Sequence, residues 1–272
     1  MRWSKPVASR AILQVAHGMG EHSLRYRDKL KPLMDAGVVV YANDHRGHGL
    51  TAPSAEHYGD FGALGFPGLV SDMARLSERA RTENPGVPIV LMGHSMGSFA
   101  AQLYALLHSE DIDGLVISGS AALDQVVAVL PADPDASALD AFNGAFEPAR
   151  TPFDWLSRDE AEVDDYIADP RCGFSVTPES MQSMVEALLP TADMEQVERI
   201  RQDLPVYFFS GDKDPVGGPD TAFLNVLIDR YQARGLRVTK DIYKDGRHEM
   251  LNETNRDEVV SNLRSFIESI VE

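Results

Sequence analysis

The chain has 272 residues, 43% of them hydrophobic, enough for one large α/β domain or two ordinary ones around a buried core. Lys and Arg number 25 against 42 Asp and Glu, a net charge of −17 that argues against nucleic acid or an anionic lipid surface as a main partner. No apolar run approaches the roughly 20 residues of a membrane span, and the single cysteine, Cys172, excludes an intrachain disulfide, fits a reducing cytoplasmic compartment and reads as a small packing residue.

In chain order, MRWSKPVASRAILQVAHG has basic residues ahead of an apolar stretch too short for a signal peptide. Apolar runs bounded by Gly, Pro, Asn or Asp predict strands over 10–16, 37–44, 87–93, 114–119, 204–211 and 236–243, the pattern of strands buried on both faces. Helical spacing lies between them, over 22–36 (Leu30, Leu33, Met34), 68–82 (Leu69, Val70, Met73, Leu76), 96–108, 221–234 and 255–271. The alternation predicts an α/β fold: a mostly parallel sheet with helices on both faces. Residues 120–203 break the rhythm with Pro131, Pro134, Pro148 and Pro152 and a helical pattern over 178–190. They predict a helical cap, or lid, inserted into a core made of 1–119 and 204–272. Its apolar residues Phe142, Phe146, Trp155, Met184 and Leu188 are candidates for a substrate pocket. The acidic stretch 157–170 reads as solvated helix faces.

Gly93-His94-Ser95-Met96-Gly97 joins a predicted strand to a predicted helix. That is the G-x-S-x-G pattern of a nucleophile elbow, where a strained turn lifts a Ser hydroxyl above the sheet and flanking glycines let strand and helix approach. The helix N-terminus then aims N–H groups at a developing oxyanion. A hydroxyl needs a base beside it, itself oriented by an acid. The loop after the fifth predicted strand offers Asp212 and Asp214, and the loop after the sixth offers His248. Asp212, directly after Gly211, can simply close the turn, whereas Asp214 lies further out, better placed to reach a His. Gly18 and Gly20 make AHGMG a turn able to offer backbone amides, so the Met19 and Met96 N–H groups are the expected oxyanion donors. His17, His45 and His48 sit in glycine-rich turns with structural roles, and Asp44 and Arg46 brace those turns by charged hydrogen bonds.

Taken together, HGMGEHSLRY, NDHRGHG, GHSMGS, SGDKDP and GRHEMLNE resemble the monoacylglycerol lipase and lysophospholipase branch of the α/β-hydrolase superfamily, the serine aminopeptidase-type branch, over nearly the whole chain. The resemblance implies Ser95, Asp214 and His248 as a catalytic triad, Met19 and Met96 as oxyanion donors, no cofactor or metal, and a cap over an acyl pocket. The implied activity is a serine carboxylic ester hydrolase acting on monoacylglycerol, lysophospholipid or similar acyl esters, with at most transient contact with a lipid surface. A small-ester carboxylesterase and an aminopeptidase-type hydrolase share the fold; a silent binding module would be expected to lose a triad member, and none is lost. Ser98 departs from the further glycine many lipases carry. The family also has two more strands ahead of the one ending in AHG, of which MRW would be a stump. GVVVYAND would then be a sheet edge. Either the natural start lies upstream, or a partner, such as a second copy in a homo-oligomer, covers that edge.

Overall fold

Five of the six apolar runs become strands with no exposed position, because each is covered on two faces, whereas the run over 236–243 is partly exposed. The computed structural model describes residues 1–5, 8–129 and 142–271, so Pro131 and Pro134 lie outside the described residues. Strands β1 (Arg2–Trp3), β2 (Ala11–Ala16), β3 (Val38–Ala42), β4 (Ile89–His94), β5 (Gly114–Ser118), β6 (Pro205–Gly211) and β7 (Arg237–Tyr243) form one sheet in the order β1-β3-β2-β4-β5-β6-β7. All neighbours from β3 to β7 are parallel, and β1 alone runs antiparallel. The six predicted strands are all present.

Alternate side chains feed two cores. Ile12, Val39, Tyr41, Leu91, Leu115 and Phe208 pack on one face with α2 (Gly65–Glu83), α3 (Met96–His108) and α8 (Ala222–Ala233). Leu13, Val40, Val90, Met92, Val116 and Phe209 pack on the other with α1 (Lys31–Asp35) and α9 (Arg256–Val271). The helix predicted over 22–36 is instead a 3₁₀ turn at Ser23–Tyr26 followed by the short α1. Pro32 in the first turn of α1 lacks an N–H, so no helix runs through it from upstream.

The sheet edge expected at β3 is corrected. Arg2 pairs with Tyr41 and Trp3 with Val40, and the Ala42 N–H donates to Met1 O at 3.1 Å, so β3 is flanked and β1 is the outermost strand. The opposite edge, β7, carries Arg237, Lys240 and Asp241, charges that discourage edge pairing.

Between β5 and β6 lie α4 (Leu123–Val127), α5 (Glu160–Ala168), α6 (Pro178–Leu188) and α7 (Met194–Val197). This insertion is fastened to the loops at the C-terminal ends of the strands. The Gly173 N–H donates to Gly20 O at 2.9 Å, Thr177 N–H to Gly59 O at 3.1 Å, and His248 N–H to Trp155 O at 3.3 Å. Among the described residues no helix is long and apolar enough to cross a membrane.

Candidate active site

Ser95 joins β4 to α3 with φ +52° and ψ −123°, a left-handed conformation that a non-glycine residue holds only under tertiary constraint. A Cβ on Gly93 would lie 2.3 Å from Gly97 O, and one on Gly97 would lie 2.2 Å from Ala16 O, so both elbow glycines are required. The Ser95 N–H is held by Ser118 O at 3.0 Å. Ser98 fits without disturbing the elbow: its hydroxyl donates to Ser95 O at 2.5 Å and reaches Ser120 Oγ at 2.6 Å.

The two acidic candidates separate cleanly. Asp212 accepts the Asp245 N–H at 2.8 Å and ties one loop to the next. Asp214, 2% exposed, lies with Oδ1 2.9 Å from His248 Nδ1. It is fixed by the Val216 N–H at 3.0 Å and the Ser210 hydroxyl at 3.1 Å. With Nδ1 facing a carboxylate, the neutral ring carries its proton there, and Nε2 is left as the base. That Nε2 is buried and has no hydrogen-bond partner among the described residues, Ser95 included. Burial, the strongest influence on His248, pulls its pKa down; the carboxylates of Asp214, Glu249 and Glu21 outweigh it and hold the pKa above the ordinary value.

Ser95, Met19 and Met96 line a cleft of about 600 Å³, counted out to open solvent, and Trp155 in its wall packs tilted against the His248 ring, 4.7 Å between centroids. Phe99, Leu123, Phe142, Met181, Met184 and Val216 complete most of the wall, which holds no charged side chain among the described residues. Of the candidate pocket residues, Phe142, Trp155 and Met184 line this cleft. Phe146 and Leu188 do not: Arg247 lies 4.5 Å over the Phe146 ring, and Leu188, 1% exposed, is core. In the turn after β2 the Gly18 N–H is taken by Glu21 Oε1 at 2.5 Å and the Gly20 N–H by His48 Nε2 at 3.3 Å. The Met19 N–H between them has no acceptor among the described residues. Met96 opens α3, where the first amides have no helical partner.

The braces expected of the early turns are present. His17 Nε2 accepts the His45 N–H at 2.9 Å, and Asp44 accepts from the Ser23 N–H (2.9 Å), the Ser23 hydroxyl (2.6 Å) and the Leu50 N–H (2.8 Å). Arg46 reaches past its own turn to Asp72 on α2 at 2.7 Å. Sequence reasoning missed Glu21, Arg25, His94 and Glu249. His94, within the elbow motif, lies tilted against His248 with 4.7 Å between ring centroids, and burial first, then His248, lowers its pKa to about 4, so it stays neutral. Gly119, with φ +54°, makes room for both rings.

Among the described residues one cluster has metal-ligand chemistry: His22, Asp169 and Cys172 bring their ligand atoms within 4.8 Å of one another. The donor set fits a cation poorly. Arg171 already holds Asp169 at 2.7 Å, His22 holds it at 2.9 Å, and burial pushes the Cys172 thiol up to about 12.

The sequence profile of the family described as "Serine aminopeptidase, S33" matches residues 7–255. The chain belongs to that family of α/β hydrolases. This hydrolase is 29% identical to the monoacylglycerol lipase of Mycolicibacterium smegmatis over 98% of its own length and 91% of that protein's. It is 28% identical to human monoglyceride lipase over 93% and 82%. Among solved structures it is similar to a highly thermostable carboxyl esterase from Bacillus coagulans in complex with glycerol, with a TM-score of 0.88 and 29% identity over 100% of this chain and 93% of that one.

Proposed function

We propose that this α/β hydrolase is a serine carboxylic ester hydrolase working through an acyl-enzyme on monoacylglycerol, lysophospholipid or similar acyl esters. The observation that carries the reading is the buried Asp214–His248 pair, with Nε2 unpartnered among the described residues, whose imidazole packs against Trp155 in the wall of the apolar cleft that the elbow Ser95 also lines. Ser95 Oγ attacks the ester carbonyl while His248 Nε2 takes its proton, then returns it to the leaving alcohol. Asp214 fixes the tautomer and stabilises the imidazolium. The Met19 and Met96 amides bind the oxyanion of each tetrahedral intermediate. A water molecule, deprotonated by His248, then attacks the acyl carbonyl and frees Ser95 with the carboxylic acid.

The uncharged wall supports an acyl chain as the group bound. An aminopeptidase would need a carboxylate to receive the substrate amine. In the acidic stretch 157–170, Glu162 pairs with Lys29 and Arg256, and Asp164 with Arg150 at 2.7 Å, away from the cleft lining. Kinetics on monoacylglycerols and p-nitrophenyl esters from two to sixteen carbons, beside aminoacyl amides, test the reading. Medium or long acyl esters are expected to be best and Ser95→Ala inactive. Preferred turnover of amides, or a Ser95→Ala variant with most of its activity, would overturn it.

A further inference from the structure

We infer that the buried Glu21–Arg25–Glu249 cluster is a positioning device: it locks the turn carrying Met19 to the loop carrying His248 and presents net negative charge to the imidazole. The inference rests on the roles proposed for Ser95, His248 and the Met19 amide.

Glu21 and Arg25 come from the chain just after β2, and Glu249 directly follows His248, far away in sequence. Arg25 Nη1 donates to Glu21 Oε2 at 2.7 Å and to Glu249 Oε1 at 2.6 Å, while Nη2 donates to Glu249 Oε2 at 2.8 Å. The side chains are 3%, 12% and 7% exposed for Glu21, Arg25 and Glu249. Burying such a set costs several kcal/mol per ion before pairing, and an apolar trio of equal volume is often no less stable. Stability alone is therefore a weak reason for charges here. Their connections give a better one. Glu21 Oε1 receives the Gly18 N–H, the amide just before Met19, at 2.5 Å and the Tyr26 hydroxyl at 2.7 Å. Arg25 lies 4.8 Å over the ring of Tyr166, on α5, whose hydroxyl donates to Gly20 O at 2.8 Å. On the other side, the Glu249 N–H is held by Leu156 O at 2.7 Å and its Oε2 by the Asn252 amide at 2.8 Å. One connected set thus holds the residue before Met19, the residue after it and the residue after His248.

The charge points the same way. His248 meets Asp214 from the loop after β6, Glu249 from its own loop, Glu21 from the turn after β2 and neutral His94 from the end of β4; Arg25 answers both glutamates. Burial pushes both glutamates up, but Arg25 together with the other groups around them, the Tyr26 hydroxyl on Glu21 among them, outweighs it and holds each below its ordinary value, so both are ionised at neutral pH. Two carboxylates against one guanidinium leave one negative charge in excess, which favours the imidazolium formed when Ser95 attacks.

The test compares Glu21→Gln, Glu249→Gln, the double variant and Glu249→Asp with the wild type, folded fraction set by circular dichroism and active fraction by fluorophosphonate titration. kcat and KM are measured against pH on a p-nitrophenyl ester. Each Gln variant is expected to lose tenfold or more in kcat with KM within threefold. Its acid limb should move to lower pH, because His248 with less negative charge around it stays neutral further down. The double variant should lose less than the product of the singles, since both glutamates act through Arg25. Glu249→Asp keeps the charge but not the fork, so it should lower kcat and leave the limb in place, which also tests the idea should a Gln variant fail to fold. Wild-type kcat in the folded Gln variants, or an acid limb that stays put in both, overturns the inference. A wild type that the probe does not label sinks the hydrolase reading, and the inference with it.

Discussion

Gly119 offers a sharp test of whether the position of His248 sets the rate. Its φ is +54°, and a Cβ there would lie 2.9 Å from Cε1 of both His248 and His94. In Gly119→Ala two costs arise. The left-handed backbone costs an L-residue about 1–2 kcal/mol, a few degrees in Tm for a chain of this size. The methyl also crowds two rings. Ordinary contacts begin at 3.4 Å, so each ring must withdraw by 3.4 − 2.9 = 0.5 Å. A misplacement of 1 Å costs on the order of 10²-fold, so half of it on the general base projects to about tenfold in kcat. Gly86→Ala is the control: its φ is +80°, with nothing within 4 Å of an added methyl, and it lies in the turn between α2 and β4. Thermal melts and p-nitrophenyl ester kinetics should show a loss of Tm in both variants, larger in Gly119→Ala, with kcat falling only in Gly119→Ala. Equal kcat in the two variants would refute the reasoning.

Further outcomes follow from the same geometry. Asp214→Asn should lower kcat by about 10⁴ with little change in KM, because the amide presents the wrong hydrogen-bonding group to His248 Nδ1; steady-state kinetics with active-site titration checks it. The acid limb of kcat/KM should fall above pH 6.5, since His248 is held above its ordinary value and the imidazolium cannot accept the Ser95 proton; a pH profile with a limb below 6 would contradict this. Met184→Trp should shorten the preferred acyl chain, because Met184 lines the cleft and each methylene that no longer fits forfeits about 0.8 kcal/mol, roughly fourfold. Short esters should be turned over within threefold of wild type, and a chain-length ladder reads the shift.

Much of this was legible in the sequence because it is carried by local signals. The buried strands β2 to β6 announce themselves as unbroken apolar runs, and the elbow by two glycines around one serine. Asp214 was separable from Asp212 only as the better-placed acid; a hydrogen bond across the chain distinguishes them. β1 was too short, at two residues, for any periodicity to show, so its cover over β3 became visible only through pairing. Arg25 and Glu249 look like ordinary surface charges in isolation, and their meeting is 224 positions apart. The aromatic residues of the insertion share one composition, yet Trp155 faces the site and Phe146 packs under Arg247, a choice made by tertiary packing alone.

The proposed mechanism makes Ser95 the nucleophile and the Met19 and Met96 amides the groups that hold the oxyanion. The most direct measurement is a crystal structure of the protein after reaction with an alkyl fluorophosphonate. The account predicts phosphorus bonded to Ser95 Oγ, the alkyl chain along Met184 and Phe142, and one phosphoryl oxygen within hydrogen-bond reach of both amides. An adduct on another residue, or a phosphoryl oxygen turned away from both N–H groups, would contradict it.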